Sequence, residues 1–318
     1  MKRLLFVLLL LLAPPAAAQN WPAKPIKLVV PFATGGATDV LTRLLCEQLT
    51  AELKVPCVVD NKGGAGGNLG GAAVAGSAPD GYTFLVSAPG VLAYNKLIYR
   101  DMPFDPDKEL DPFCLYAFQP NVLVVNPKLP VNSVKELIAY AKDHPRTLNY
   151  ASGGVGSTSH VAGELFRTMA GLEWQHVPYR GTGPSLVDLL AGQVQLTIDN
   201  LPAILPQIKS GGVRALAIST AQRWPALPDL PTIAEAGLPG YAAISWQMVA
   251  APTGTPRPII DRMAAVISKA SADPAFKAKV AETGAATAGG TVDEARSFVK
   301  EEAVKWREVV IRSGAKAD

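Results

Sequence analysis

Residues 26 to 53 read IKLVVPFATGGATDVLTRLLCEQLTAEL, and the order in which this stretch changes character decides the fold. Ile26 to Val30 is a short run of aliphatic and β-branched residues, the pattern of a buried strand. From residue 40 onward Val40, Leu41, Leu44, Leu45, Leu49 and Leu53 recur on one side of a helix. Between the two lies PFATGGATD, residues 31 to 39, rich in Gly, Ala and Thr and carrying no lysine. A strand that runs into a helix through a glycine turn is the first half of a βαβ unit, and repetition of such units gives a mainly parallel sheet covered by helices on both faces.

The rhythm continues outward from this stretch. CVVD (57–60), a small-residue helix near 67–77, TFLVS (83–87) and NVLVV (121–125) extend the first series. A second series starts at Ser133, whose hydroxyl is placed to cap a helix while Glu136 returns a bond to its backbone N–H. It runs through LNYAS (148–152), a helix carrying Val161, Leu165 and Met169, the strand HVPY, a helix over 184–191 stopped by Gly192, and the strands QLTID and VRALAIS. From residue 245 the chain turns helical, with Thr255 as cap, Pro256 at the first helical position and a capping box at Thr291 and Glu294. About 300 residues exceed what one core of typical size holds, so two domains are expected. Segments 121–126 and 244–251 are the candidate crossings between them. The expected division is a discontinuous first lobe, 22–122 and 248–318, with a second lobe, 123–247, inserted into it.

Lys2 and Arg3, the apolar run Leu4–Leu12 and the following PPAAAQ have the layout of an export signal cleaved near Ala18 and Gln19. Pro14 and Pro15 interrupt the apolar run well short of the roughly 20 residues that a membrane-spanning helix needs. Without Lys2 and Arg3 the 30 basic residues become 28, against 27 acidic ones. With these charges scattered rather than clustered, the chain lacks the basic stripe of a nucleic-acid binder. Cys46, Cys57 and Cys114 form no CxxC pair; an oxidising compartment allows a disulfide between two of them, and the spacing does not choose which.

The turn at 31–39 has a counterpart in SGGVGSTSH, residues 152–160, in the second series. The first N–H groups of a helix have no internal acceptor, and the helix dipole gives them partial positive charge. Glycines let a ligand approach the backbone and hydroxyls add donors, so each turn can hold an anion without a formal charge. Ligands of open α/β sheets bind outside the carboxyl ends of the strands, and two such turns, one per lobe, form opposing walls of one cleft.

Other chemistries fit less well. GAGGNLG (64–70) follows the second strand and lacks a ribose-binding acid, and neither turn contains GxxxxGK[ST]. His144, His160 and His176 show no zinc-ligand spacing, so neither a metal nor a cofactor is expected. Ser157 or Ser159 with His160 gives the alternative of an exported serine hydrolase or transferase, although a GxSxG elbow is absent. Asp39 either complements the dipole of its helix or touches ligand. Asp199, at the end of LTID, either accepts a ligand donor or fixes a loop, while Tyr179 and Arg180 in PYRGTG are placed to reach the cleft.

The stretches PFATGGATD, NKGGAGGNLG, PDGYTFLV, YASGGVGSTSHVAGELF, VPYRGTGPSLVDLLAGQV and ALPDLPTIAEAGLPGY together resemble the substrate-binding proteins of tripartite tricarboxylate transporters, the Bug family, from about residue 22 to the C-terminus. The resemblance implies a monomeric periplasmic receptor of the type II Venus-flytrap class that is not an enzyme. Such a receptor has two α/β lobes that close over a small organic carboxylate and deliver it to membrane permease subunits. Family ligands include citrate, other di- and tricarboxylates, acidic amino acids and aromatic acids. Carried over by motif, the site would use Phe32, Ala33, Gly36 and Thr38, with Ser87 and Ala88 after the third strand. Facing them would stand Gly156, Ser157, Thr158 and His160, helped by Tyr179 and Asp199. Pro89, in SAPGVLAYN, departs from the polar residue more usual in the family.

Overall fold

The computed structural model describes residues 21–317. The expected export signal at 1–18 and its cleavage point lie outside them. Strand β1 (Ile26–Val30) leads into α1 (Ala37–Leu53), followed by β2 (Cys57–Asn61), α2 (Asn68–Ala75) and β3 (Thr83–Ser87). A π-turn over Gly90–Tyr94 and two short helices, α3 (Asn95–Ile98) and α4 (Pro106–Glu109), lead into the long strand β4 (Leu110–Val125). Next come α5 (Val134–Asp143), β5 (Asn149–Ser152), α6 (Thr158–Ala170), β6 (Gln175–Pro178), α7 (Thr182–Ala191), β7 (Leu196–Asn200), α8 (Leu201–Lys209) and β8 (Arg214–Ile218). The chain ends with β9 (Ile244–Pro252), α9 (Arg257–Ala272), α10 (Pro274–Glu282), β10 (Ala286–Thr287) and α11 (Val292–Ser313).

The strands follow the order β2-β1-β3-β9-β4-β7-β5-β6, with β8 and β10 also pairing β4. The outer pairs β1–β2, β1–β3, β5–β6 and β5–β7 are parallel, as the strand–helix rhythm predicts. The inner strands differ, because β9 runs antiparallel to β3 and β4, and β4 antiparallel to β7 and β8. Strand β4 is the element that joins the lobes: Leu110–Pro120 pair with β9, and Asn121–Val125 pair with β7 and β8. The second crossing enters β9 at Ile244, opposite Pro120. The Ser219 hydroxyl binds the two crossings together, accepting the Asn121 N–H at 2.9 Å and donating to the Ala243 carbonyl at 2.7 Å.

Both faces of each half-sheet are buried at its inner strands, which carry apolar residues at consecutive positions, whereas the edge strands β2 and β6 are partly exposed. On β4, Leu123 and Val125 face the core formed with α5 and α6, while Val122 and Val124 face the core under α7 and α8. In the other lobe, Leu28, Phe84 and Val86 pack with α1, α9 and α10, whereas Val29 and Leu85 turn to the opposite face. Helix α11 touches both lobes. Ala295 and Val299 belong to the core around Leu85 and Trp246, and Trp306 and Val310 to the core around α6. Glu302, midway along it, accepts the indole N–H groups of Trp246 at 2.9 Å and Trp306 at 3.1 Å.

Two caps differ in detail from the sequence expectation. Ser133 caps α5 by accepting the Glu136 N–H, but the Glu136 carboxylate turns to the N–H of Asn132 rather than of Ser133. Pro256, not Thr255, is the cap of α9, because the Thr255 hydroxyl donates back to the Pro252 carbonyl. The capping box at Thr291 and Glu294 is present. Cys46 and Cys57 form a disulfide that ties α1 to β2, and Cys114 is a buried free thiol that burial pushes up to about 12.

Candidate functional site

Three helices begin at one place. The turn after β1 ends in Gly36 and opens α1; the turn after β5 ends in Ser157 and opens α6; and Gly181, after β6, opens α7. Between these N-termini lies a cavity of about 20 Å³, lined by Phe32, Gly36, Ala37, Thr38 and Ala88 from one lobe. Gly153, Ser157, Thr158, Ser159, Thr182, Asp199 and Asn200 line it from the other. The amides of Ala37, Thr38, Thr158, Ser159 and Thr182 sit in first helical turns, where no carbonyl of the same helix can accept them. No lysine or arginine lines the cavity, so its positive potential comes from backbone dipoles.

The turns are held rigid by their own hydrogen bonds. Ser157 Oγ accepts the His160 N–H at 3.2 Å and lies 3.0 Å from Ser159 Oγ, which accepts the Gly153 N–H at 2.9 Å. His160 Nδ1 accepts the Gly156 N–H at 3.2 Å. Behind it the rings of His160, His176 and Tyr150 stack, with His176 Nε2 at 2.6 Å from Ser152 Oγ. Burial brings His160 down to about 3, helped by the neighbouring His176, and His176 down to about 4, so both rings are neutral at neutral pH. Asp39 accepts the Gly35 N–H at 3.0 Å and pairs with Arg43 at 2.9 Å. Burial opposes its charge, but the bonds from Arg43 and Gly35 outweigh it and hold the carboxyl below the usual range.

The lobes meet across the cleft. The Ala33 N–H donates to the Arg180 carbonyl at 3.0 Å, and the Tyr99 hydroxyl to the Val155 carbonyl at 2.6 Å. Glycine is required where the backbones touch: Gly66 has φ 60°, and a Cβ there would overlap the Val155 carbonyl oxygen.

Among the residues singled out from sequence, the fold brings Phe32, Gly36, Thr38, Ala88, Ser157, Thr158 and Asp199 to the cavity wall. The others lie elsewhere. Ala33 makes the bond between lobes, Ser87 is buried with its hydroxyl on the Ala88 carbonyl, and Gly156 and His160 brace the second turn from behind. Tyr179 donates to Asp188 at 2.6 Å, and Arg180 is exposed. The serine–histidine pair considered as a catalytic alternative is not assembled: Ser157 Oγ takes the His160 amide rather than its ring, and that ring accepts from Gly156. Ala37, Gly153, Thr182 and Asn200 were not singled out. The GTG of residues 181–183 repeats the strand–glycine–helix signature and would have pointed to Thr182. Among the described residues, no group of three His, Cys, Asp or Glu could hold a metal ion, and no helix is long and apolar enough to cross a membrane.

The model of the tripartite tricarboxylate transporter family receptors matches residues 41–314 of this chain. The chain belongs to that family. The receptor is 40% identical over 306 residues to the protein BugT of Bordetella pertussis, covering 96% of this chain and 94% of BugT. Its fold is similar to that of an R. palustris protein solved with adipate, at 43% identity and TM-score 0.91, covering 93% of this chain and 99% of the other. It is also similar to MatC from Rhodopseudomonas palustris with bound malate, at 32% identity and TM-score 0.84, covering 91% of this chain and all, 100%, of MatC. The two-lobed receptor fold expected from sequence is thus the fold of the family.

Proposed function

We propose that the receptor captures a small organic carboxylate between its lobes in the periplasm and delivers it to the membrane subunits of a tripartite transporter. The observation that carries this reading is the meeting of the α1, α6 and α7 N-termini around a cavity without a basic side chain. A carboxylate oxygen suits unpaired amides at helix starts, and the relatives solved with adipate and malate carry such ligands. We assign ligand contact to Phe32, Gly36, Thr38, Ala88, Ser157 and Thr158, and the lobes to 22–122 with 248–318 and to 123–247. The change of partners along β4 between Pro120 and Asn121 supports that division. Export rests on the N-terminal pattern.

In the shut form the cavity has room for about one water, so a carboxylate enters when the lobes part and sets how far they close again. Closure is then driven by contacts that only the shut form makes. A thermal-shift screen of mono-, di- and tricarboxylic acids tests the reading. A ligand at 100 times its dissociation constant adds about 2.7 kcal/mol to folded stability, a shift well within detection. Absence of a shift with every acid would overturn the proposal.

A further inference from the structure

Asp199 is an anomaly in a site built for an anion. It lies at the end of β7, is fully buried, and forms part of the cavity wall together with Thr158, Ser159, Thr182 and Asn200. One carboxylate oxygen, Oδ1, accepts the Asn200 N–H at 2.7 Å and the Asn200 side-chain amide at 3.2 Å. The other, Oδ2, is buried with no hydrogen-bond partner. A buried carboxylate oxygen without a donor is costly, and such a group in a native site calls for an explanation in what the site binds. Burial pushes its pKa up from the usual carboxylate range, against the pull of Asn200, Thr182 and Ser159.

The Thr182 and Ser159 hydroxyls stand near enough to favour its charge, but neither makes a full hydrogen bond to Oδ2. Thr158 Oγ1 accepts from the Asn200 amide at 3.1 Å, and Ser159 Oγ is engaged with Gly153 and Ser157. A simple carboxylate seated on the helix N-termini would leave Oδ2 unpaired and add a second negative charge beside it. A ligand with a donor next to its carboxylate removes both problems.

Resting on the carboxylate reading of this site, we infer that the ligand carries a hydroxyl or ammonium group beside its carboxylate, and that Asp199 Oδ2 accepts from it. Asp199 is thereby a specificity-determining residue, separating hydroxy and amino acids from the unsubstituted acids of the same carbon frame. Hydrogen-bonding sites reject analogues lacking the donor far more strongly than apolar pockets reject a missing methylene.

Calorimetric titration of the wild-type receptor with matched sets tests this: propionate, lactate and alanine; succinate, malate and aspartate; phenylacetate, mandelate and phenylglycine. Within the set that fits, the hydroxy or amino member binds at least tenfold more tightly than the unsubstituted acid. The two arms tell hydroxyl from ammonium. Asp199→Asn keeps the oxygen for the Asn200 N–H and removes the charge, so an ammonium preference collapses, whereas a hydroxyl preference is reduced but keeps its sign. Equal or tighter binding of the unsubstituted acid by the wild type overturns the inference and leaves the receptor reading standing. So does an Asp199→Asn variant that binds all members of a set more tightly by one common factor, since Asp199 would then be only a counter-anion to the helix dipoles. Binding of none of the nine compounds, with no shift in the wider acid screen, overturns both.

Discussion

His160 and His176 show what a buried ring does in this receptor. Stacked on each other and on Tyr150, they support the second turn through Gly156 and Ser152 without lining the cavity. Their folded pKa values, about 3 and about 4, lie below the unfolded value near 6.5. Between pH 6.5 and 4 the unfolded chain therefore binds more protons than the native one, and stability falls as pH falls, by up to about 1.4 kcal/mol per pH unit for each ring. Asp199 acts in the opposite sense, since its raised pKa lets the native state take up a proton first. Subtracting the urea-unfolding profile of a His176→Gln variant from that of the wild type gives the contribution of His176, its effect on His160 included. The wild type should lose more stability across this window, and parallel profiles would refute the assignment. The family motif puts His160 beside the ligand with Ser157 and Thr158, but neighbours at a helix start diverge by 100° per residue, and the ring stacks on His176 behind the turn.

At the scale of elements, the strand–turn–helix units were legible because Ile26–Val30 and the leucines from Leu41 to Leu53 follow clear and different periods. The first eleven residues of β4 were not. Pro112 and Pro120 interrupt them and normally argue against a central strand, yet the register shift between Pro112 and Cys114 accommodates the first, and the second sits where β4 changes partners. The antiparallel inner strands were equally hidden, since they depend on the long-range return at Ile244. Helix α7 offers a test of closure. Gly183, in its first turn, has no positive φ, and a Cβ built on it would stand 2.5 Å from the Thr34 carbonyl oxygen of the other lobe. In an open receptor Gly183→Ala favours the helix by less than about 1 kcal/mol, whereas in the shut one it is a wedge between backbones. Gly183→Ala should unfold cooperatively with native secondary structure and bind ligand at least tenfold more weakly. Wild-type affinity in this variant would mean that the lobes do not meet here when ligand is bound.

Across the whole molecule, two crossings, helix α11 and the segment 90–98 connect the lobes, Tyr94 and Ile98 of that segment packing into the core around α6. The Ser219 hydroxyl pins the crossings, Glu302 anchors α11 to Trp246 on the returning strand, and Trp306 of the same helix packs into the core of the second lobe. The proposed function requires the turns at 31–39 and 152–160 to part and meet again about these connections. The central claim is that main-chain amides from both lobes hold the same carboxylate. Titration of the ¹⁵N-labelled receptor with the acid that gives the strongest thermal shift, followed by amide resonances, tests it most directly. The amides of Ala37 and Thr38 in one lobe and of Thr158 and Ser159 in the other should shift together along a single saturation curve. Saturation by the acid with only one of these pairs responding, or neither, would contradict it.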